Sequence, residues 1–464
     1  MSENKQPNIL FFLTDHFRRD AIGKWTPNLV KLANQGVRFT NGYCGSPLCM
    51  PSRNSLVTGL LPSQNGVCGN MATPVSEDIR RDTYPNHLQR AGYRTSLVGK
   101  HHWIDTYGLG VDVTEDDAAI REYGFDDVFQ VLDELEAMDN DDELTHHLRG
   151  EGRLDKYREE ARAKGNARKP FELPESDYAD RFIAEAGKRW LKESAPADQP
   201  WYLNVSFVGP HPPFWHPGDN DFKPEETPFP IFQSKNPTQV REKRADFLQK
   251  CILIDRYIGE VLETLEARGE MDNTLIVFAS DHGDMLGDFD IWDKRHFYEQ
   301  SVGVPLIMAG PGIPLGDRAL GGQVRRDLVS LLDLYPTFLS AAGVDPVATP
   351  SFRGRRFGVD LHEVLREGRP SGHSMIYSEL STSVMAVTGP WKLVFDPDQG
   401  GVTHLFNHRR DPDELDNLAG VAGYEGVTAD LLGEALGARI GLTQYTQEKE
   451  RTRLQRVRRA NTSF

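Results

Sequence analysis

Four short apolar runs, each ending abruptly in polar residues, constrain this chain more than any other feature. Asn8–Thr14 (NILFFLT) delivers Asp15 and His16, and Thr95–Val98 leads into Gly99, Lys100, His101 and His102. Trp201–Val208 ends at Gly209, Pro210 and His211, and Asn273–Ala279 at Ser280, Asp281, His282 and Gly283. Apolar runs of this length without alternation read as strands buried on both faces, in a parallel or mixed sheet covered by helices. Helix patterns lie between them. Thr26 and Pro27 supply the N-cap and first-turn proline of one helix, which Gly36 closes. From Asp246 to Arg268, Phe247, Cys251, Ile254, Ile258, Val261 and Leu265 recur at three- and four-residue spacings before Gly269. Alternating strands and helices predict an α/β fold, whose ligands bind beyond the carboxyl ends of the strands. Four strands that empty Asp, His and Lys at those ends point to one shared site.

Two stretches break the pattern. Residues 113–195 are highly charged, with an acidic cluster from Asp133 to Glu143, and read as an excursion from the sheet, either a cover over the site or a solvated helical insertion. After about residue 365 the runs shorten to Met375–Glu379, Val384–Val387 and Trp391–Phe395, with turns between them, which predicts a small antiparallel unit. The expected division is a main domain over 1–365 and an α+β subdomain over 366–464. Six basic residues in Gln447–Arg459 read as the solvated face of a surface helix.

Charge excludes some functions. With 53 basic against 69 acidic side chains the net charge is −16, which argues against nonspecific nucleic-acid binding and against adhesion to an anionic membrane. The four cysteines, Cys44, Cys49, Cys68 and Cys251, are too sparse for a disulfide scaffold and form no CxxC pair. The first apolar run is too short for a secretory signal, and no run approaches the ~20 residues of a membrane span, so a cytoplasmic location is expected.

The chemically informative segment runs from Ser46 to Gly59 (SPLCMPSRNSLVTG). Cys49 stands just before Pro51, which suits the first turn of a helix running toward Thr58. A helix N-terminus presents unpaired N–H groups and a positive dipole end to an anion, and Arg53, about one turn in, adds a charge-assisted donor. Taken alone, a cysteine there also fits a low-pKa thiolate nucleophile.

The wider string resembles the signature of the type I sulfatases, within the alkaline phosphatase-like superfamily. That signature is C-x-P-S-R followed at fixed spacing by Leu, Thr and Gly, and Cys49, Pro51, Ser52, Arg53, Leu56, Thr58 and Gly59 match it. Asp15 stands where the family keeps its first metal carboxylate, and Gly99-Lys100-His101-His102 looks like its G-K-x-H. His211 resembles its second active-site histidine, Ser280-Asp281-His282-Gly283 its metal segment, and Lys294 the lysine beyond it. The stretches Phe297–Ile307 and Leu405–Ala419 are also similar to the family, so the resemblance covers most of the chain. It implies an alkaline phosphatase-like fold, with a large mixed sheet flanked by helices and a small C-terminal antiparallel sheet.

The resemblance further implies that a formylglycine-generating enzyme oxidises Cys49 to formylglycine, an aldehyde present as its hydrate. The substrate is then a small sulfate monoester, cleaved to alcohol and inorganic sulfate. Such a reaction needs a nucleophile, charge stabilisation at the sulfuryl oxygens and a proton for the departing oxygen. A divalent cation held by Asp15, Asp281 and His282, with formylglycine at Cys49, acts as Lewis acid, and one hydrate hydroxyl attacks sulfur. His211 and Lys294 serve the leaving oxygen, His102 deprotonates the other hydroxyl to release sulfate, and Arg53 and Lys100 hold the nucleophile and compensate charge. One position departs from the family: His16 stands where many sulfatases have a second Asp, or a Gln or Asn. It either ligates the cation or points away. Calcium is the family default, and two histidines make manganese the competitor.

Three other functions compete. A phosphonate monoester or phosphodiester hydrolase of the same superfamily would share the modified cysteine and the Asp–His pair, but the G-K-x-H at Lys100 and His102 favours sulfate. An inactive binding relative would have lost one of these residues, and a simple cysteine hydrolase leaves the metal carboxylates unexplained. His101 reads as structural, and Asp284, Asp288 and Asp290 as loop-capping or solvated acids. Trp103, Phe214 and Trp215 fit either stacking on a substrate ring or ordinary packing.

Overall fold

The computed structural model describes residues 6–104, 110–164, 172–220, 222–314, 322–346, 356–437 and 439–440. The basic segment Gln447–Arg459 lies outside them.

The central sheet has eight strands: β1 (Asn8–Asp15), β2 (Gly36–Tyr43), β3 (Arg94–Gly99), β4 (Asp127–Gln130), β5 (Trp201–Pro210), β6 (Thr274–Ser280), β7 (Gly303–Ala309) and β8 (Gln323–Ser330). Their order is β4-β3-β5-β1-β6-β7-β2-β8. Within this sheet β7 pairs antiparallel with β6 and with β2, and the other pairings are parallel. β1 is the physical centre. Its Leu10 pairs with Leu203 of β5 on one side and Ile276 of β6 on the other. Leu10 and Phe12 enter a core shared with the helices Ala179–Glu193 and Pro237–Ala267. Ile9, Phe11 and Leu13 enter a second core with α2 (Cys49–Thr58) and the helix Leu334–Ala341. Period-two alternation with apolar residues on both faces is what an unbroken apolar run predicts. Each fully buried Leu or Phe contributes about 1.5–3 kcal/mol.

A second sheet is antiparallel, in the order β12-β11-β10-β9, with β9 at Ile376–Leu380, β10 at Ser383–Val387, β11 at Trp391–Asp396 and β12 at Gly401–Asn407. Lys392 of β11 joins it to the main sheet's loops. Its buried Nζ lies 2.9 Å from Glu299 Oε1 and 2.7 Å from Glu414 Oε1, and Glu299 also pairs with Arg19. No helix among the described residues is long and apolar enough to cross a membrane.

Three sequence expectations need correction. Residues 113–195 do not leave the sheet: they supply β4, which pairs with β3, and the helix Ala179–Glu193, which covers it. Their many charges mask an apolar stripe of Ile183, Ala184, Trp190 and Leu191, and Asp133, Glu134 and Asp142 of the acidic cluster are buried. The helix read from Asp246 starts earlier, at Pro237, where the Asn236 side chain accepts from Gln239 N at 3.3 Å. Its first turns are polar on the surface and show no apolar stripe. Gly36 opens β2 rather than closing α1 (Pro27–Asn34), which ends on Gln35. A Cβ at Gly36 would stand 2.1 Å from the Met308 carbonyl of β7, so close approach of strands requires glycine there.

Candidate active site

The ends of β1, β3, β5 and β6 converge as their sequences predict. Asp15 closes β1, Lys100 follows β3, His211 follows β5, and Asp281 and His282 follow β6. α2 brings Cys49 into the same space at its first helical position. Gly99 makes the approach of β3 possible. Its φ is +107°, and a Cβ would stand 2.0 Å from the Ser206 carbonyl, which accepts the Lys100 N–H at 2.9 Å.

Arg53 is the buried scaffold of the site. Its Nε donates to Asp281 Oδ2 at 2.7 Å, its Nη1 to the Lys100 carbonyl and Ser206 Oγ at 3.0 Å each, and its Nη2 to Asp15 Oδ2 at 3.4 Å. Lys100 Nζ bridges Asp15 Oδ2 at 2.9 Å and Asp133 Oδ2 at 2.7 Å. The Asp15 carboxyl is consequently held well below the usual range. Burial alone would raise it, and the opposing charges, Lys100 foremost, outweigh that. Lys100 is raised well above its ordinary value in return: burial lowers it, and Asp133 and Asp15 overcome the burial.

The other oxygen of Asp15 faces a compact donor set. Oδ1 lies 3.7 Å from Cys49 Sγ, 3.6 Å from His16 Nε2 and 3.7 Å from His282 Nε2. Cys49 Sγ is 3.1 Å from His282 Nε2, which is also 3.7 Å from Asp281 Oδ1. One donor atom each from Asp15, His16, Cys49 and His282, all buried, falls within 4.8 Å of the others. His282 Nδ1 lies 2.9 Å from the Gly283 carbonyl, so Nδ1 carries a proton there and Nε2 is the atom that faces the carboxylates. Although burial lowers its pKa, Asp281, Cys49 and Asp15 push His282 up to about 9. A position that attracts a proton so strongly suits a metal cation, and two carboxylates with an imidazole form an apt donor set for one.

A second chain of contacts runs beside this cluster. His16 Nδ1 lies 2.7 Å from Asp284 Oδ2, and His16 Nε2 accepts from Lys294 Nζ at 2.7 Å. Lys294 Nζ also donates to His211 Nε2 at 3.1 Å, while His211 Nδ1 lies 2.5 Å from the Pro212 carbonyl. Burial and the adjacent Lys294 ammonium hold His16 and His211 well below the ordinary histidine range, consistent with neutral acceptor rings. His102 is buried after β3 with Lys100, Arg53, Asp15 and Asp133 as charged neighbours. Burial first, then Lys100 and Arg53, keep it neutral.

The structure therefore gathers Asp15, His16, Cys49, Arg53, Lys100, His102, His211, Asp281, His282 and Lys294 at one end of the sheet. His101 is turned aside, bonded to Gln130 at 2.7 Å. Trp103 stacks with Tyr123 and with Phe125, Trp215 is in the core, and Phe214 packs edge-on to Phe247 at 5.9 Å. Asp288 and Asp290 anchor loops through Arg18, Arg244 and the Lys235 N–H. Sequence reading missed Asp133 as the partner of Lys100 and Asp284 as the partner of His16. The one sequence signal for Asp284 was its place two residues beyond His282; Asp133 had none.

Residues 7–344 match the sulfatase family, and residues 287–439 match the N-sulphoglucosamine sulphohydrolase C-terminal family. The choline-sulfatase of Rhizobium meliloti is 30% identical over 456 residues, covering 89% of this chain and 82% of that protein. An arylsulfatase of Clostridium perfringens is 26% identical over 453 residues, covering 90% and 92%. Among solved structures, the phosphonate monoester hydrolase of Agrobacterium radiobacter is similar with a TM-score of 0.75 at 23% identity, over 94% of this chain and 96% of that one. A structure in complex with its substrate D-glucosamine-2-N,6-O-disulfate is similar with a TM-score of 0.69 at 22% identity, over 95% and 99%. Likeness at these identities concerns the fold.

Proposed function

This chain belongs to the sulfatase family and is a sulfuric ester hydrolase of alkaline phosphatase-like fold, and from that premise we propose that it cleaves a sulfate monoester at a formylglycine made from Cys49, beside one divalent cation. The observation that carries the proposal is the position of Cys49. Its buried side chain sits at the start of α2 within 3.1 Å of His282 and 3.7 Å of Asp15, as the nucleophile beside the cation must.

Asp15, Asp281 and His282 would hold the cation, and His16 Nε2 is shared between that position and Lys294. Calcium is the expected ion, with manganese the alternative that imidazole donors favour. The bound cation supplies Lewis-acid stabilisation of a sulfuryl oxygen and lowers the pKa of the nucleophilic hydroxyl. Formylglycine hydrate at Cys49 would supply two hydroxyls, one as nucleophile and one whose loss of a proton would let the carbon return to the aldehyde as its bond to the sulfate oxygen breaks.

The chain's own residues do the rest. Arg53 and Lys100 are paired with Asp281, Asp15 and Asp133, so they hold these carboxylates in place. Lys294 has three N–H donors. His16 and His211 accept two of them, and among the described residues the third meets the longer contact to Asp293 at 3.4 Å, leaving it for the departing oxygen. His211, hydrogen-bonded to that ammonium, serves the same oxygen. Neutral His102 is the base of the second half of the reaction.

Digestion and mass measurement of the Cys49 peptide, after co-expression with a formylglycine-generating enzyme, tests the nucleophile: an unmodified thiol rejects it. Full activity after chelation of divalent ions would reject the cation. Side-by-side turnover of an aryl sulfate and an aryl phosphonate monoester tests the ester, and faster phosphonate turnover would reassign the protein to phosphonate monoester or phosphodiester hydrolysis. The relatives named for choline sulfate and aryl sulfates make alkyl and aryl sulfates the first panel, with sulfated sugars the second.

A further inference from the structure

We propose that Lys250 is a positioning residue that sets the leaving-group histidine, His211. The inference rests on the assignment of His211 to the departing oxygen. Lys250 lies in the helix Pro237–Ala267 and is fully buried, next to Cys251 and near Phe247 and Ile254 of the same core. Its Nζ donates to the His211 carbonyl at 2.8 Å, the Pro213 carbonyl at 3.2 Å and Glu134 Oε1 at 3.2 Å. All three ammonium donors are thus used, two of them on the three-residue segment that carries His211.

A buried ammonium gives up its hydration at a real cost, and an apolar residue of similar length would fill this place without it. What the charge secures is the backbone. Beside it, on the neighbouring helix Ala179–Glu193, Asp180 has Lys250 as its nearest opposing charge, and its Oδ1 accepts the N–H groups of Val208 at 3.0 Å and Gly209 at 2.9 Å. The end of β5 is therefore clamped at 208 and 209 by a buried carboxylate, and beyond it at 211 and 213 by a buried ammonium. With its own carbonyl fixed by Lys250 and its Nδ1 at the Pro212 carbonyl, His211 has its Nε2 directed to Lys294. Lys250 touches neither the donor set of the cation nor the Lys294 ammonium in any of these contacts. Its influence on the reaction passes through His211.

The test is a series of aryl sulfates whose phenols span a range of acidity, run on converted wild type, Lys250→Met, His211→Ala and the double variant, with melting temperatures alongside. Lys250→Met should lose about 100-fold in kcat/KM on the least acidic phenol and little on the most acidic one, because a misplaced group matters only where the leaving oxygen needs help. The double variant should lose no more than His211→Ala alone. Equal loss of Lys250→Met across the series, or additive losses in the double variant, would reduce Lys250 to a structural role and overturn the proposal. A flat response of His211→Ala would instead overturn the assignment of His211, and with it this one. Should Lys250→Met fail to fold, Lys250→Gln, whose amide keeps N–H donors, must show the same dependence on phenol acidity with a smaller loss.

Discussion

Arg53 cannot be replaced by lysine, although both are cations. Its fork spans Asp281, Ser206, Asp15 and the Lys100 carbonyl at once, which a single ammonium on a flexible stem does not reproduce. Arg53→Lys should lower turnover by at least about 100-fold and cost about 3–5 kcal/mol of stability, read from kinetics and urea denaturation, because Asp281 is left buried without its partner. Glu134 behaves in the opposite sense. Burial pushes its carboxyl up to about 7, and Lys250 offsets only part of that. The folded state then binds a proton that the unfolded chain releases near pH 4.5, so this contribution is full below pH 4.5 and lost as pH rises through 7. Glu134→Gln should remove that loss, gaining on the order of 3 kcal/mol on wild type between pH 4.5 and about 7. Asp15, Cys49, Arg53, Asp281 and His282 were legible in the sequence because each adjoins a strand end or a helix start. Asp133, Asp284 and Lys250 were not, since their partners lie 33, 268 and 39 residues away and each sits among ordinary charges.

At the level of elements, the strands that carry the site were the readable ones. β1, β5 and β6 are buried on both faces throughout and carry few polar residues, so no alternation obscures them. β2 and β8, at one edge of the sheet, alternate apolar with polar residues (GVRFTNGY and QVRRDLVS), and their burial is correspondingly uneven. Such segments look like loops until β7 is placed between β2 and β6. β3 depends on one residue for its contact with β5. Gly99→Ala places a Cβ 2.0 Å from the Ser206 carbonyl at a φ of +107°, and should cost about 3 kcal/mol or more in denaturant titration. Because the next residue is Lys100, activity should fall further than stability alone explains.

For the molecule as a whole, the decisive fact is how far apart in the chain the walls of the site begin. Cys49 is 1% exposed, and His282, which covers it, lies 233 residues later. In folded, unmodified protein Cys49 should therefore resist maleimide labelling while half-buried Cys68 reacts, and both should label at once in urea; fast labelling of Cys49 in the folded state would refute its enclosure. The same distance sets a clock. At roughly 5–20 residues per second the ribosome needs on the order of tens of seconds to pass from Cys49 to His282. Until β6 is made, β1 has no partner on that side and α2 has no roof. Any enzyme that alters Cys49 must act on the nascent or unfolded chain, within an interval that translation opens and folding closes.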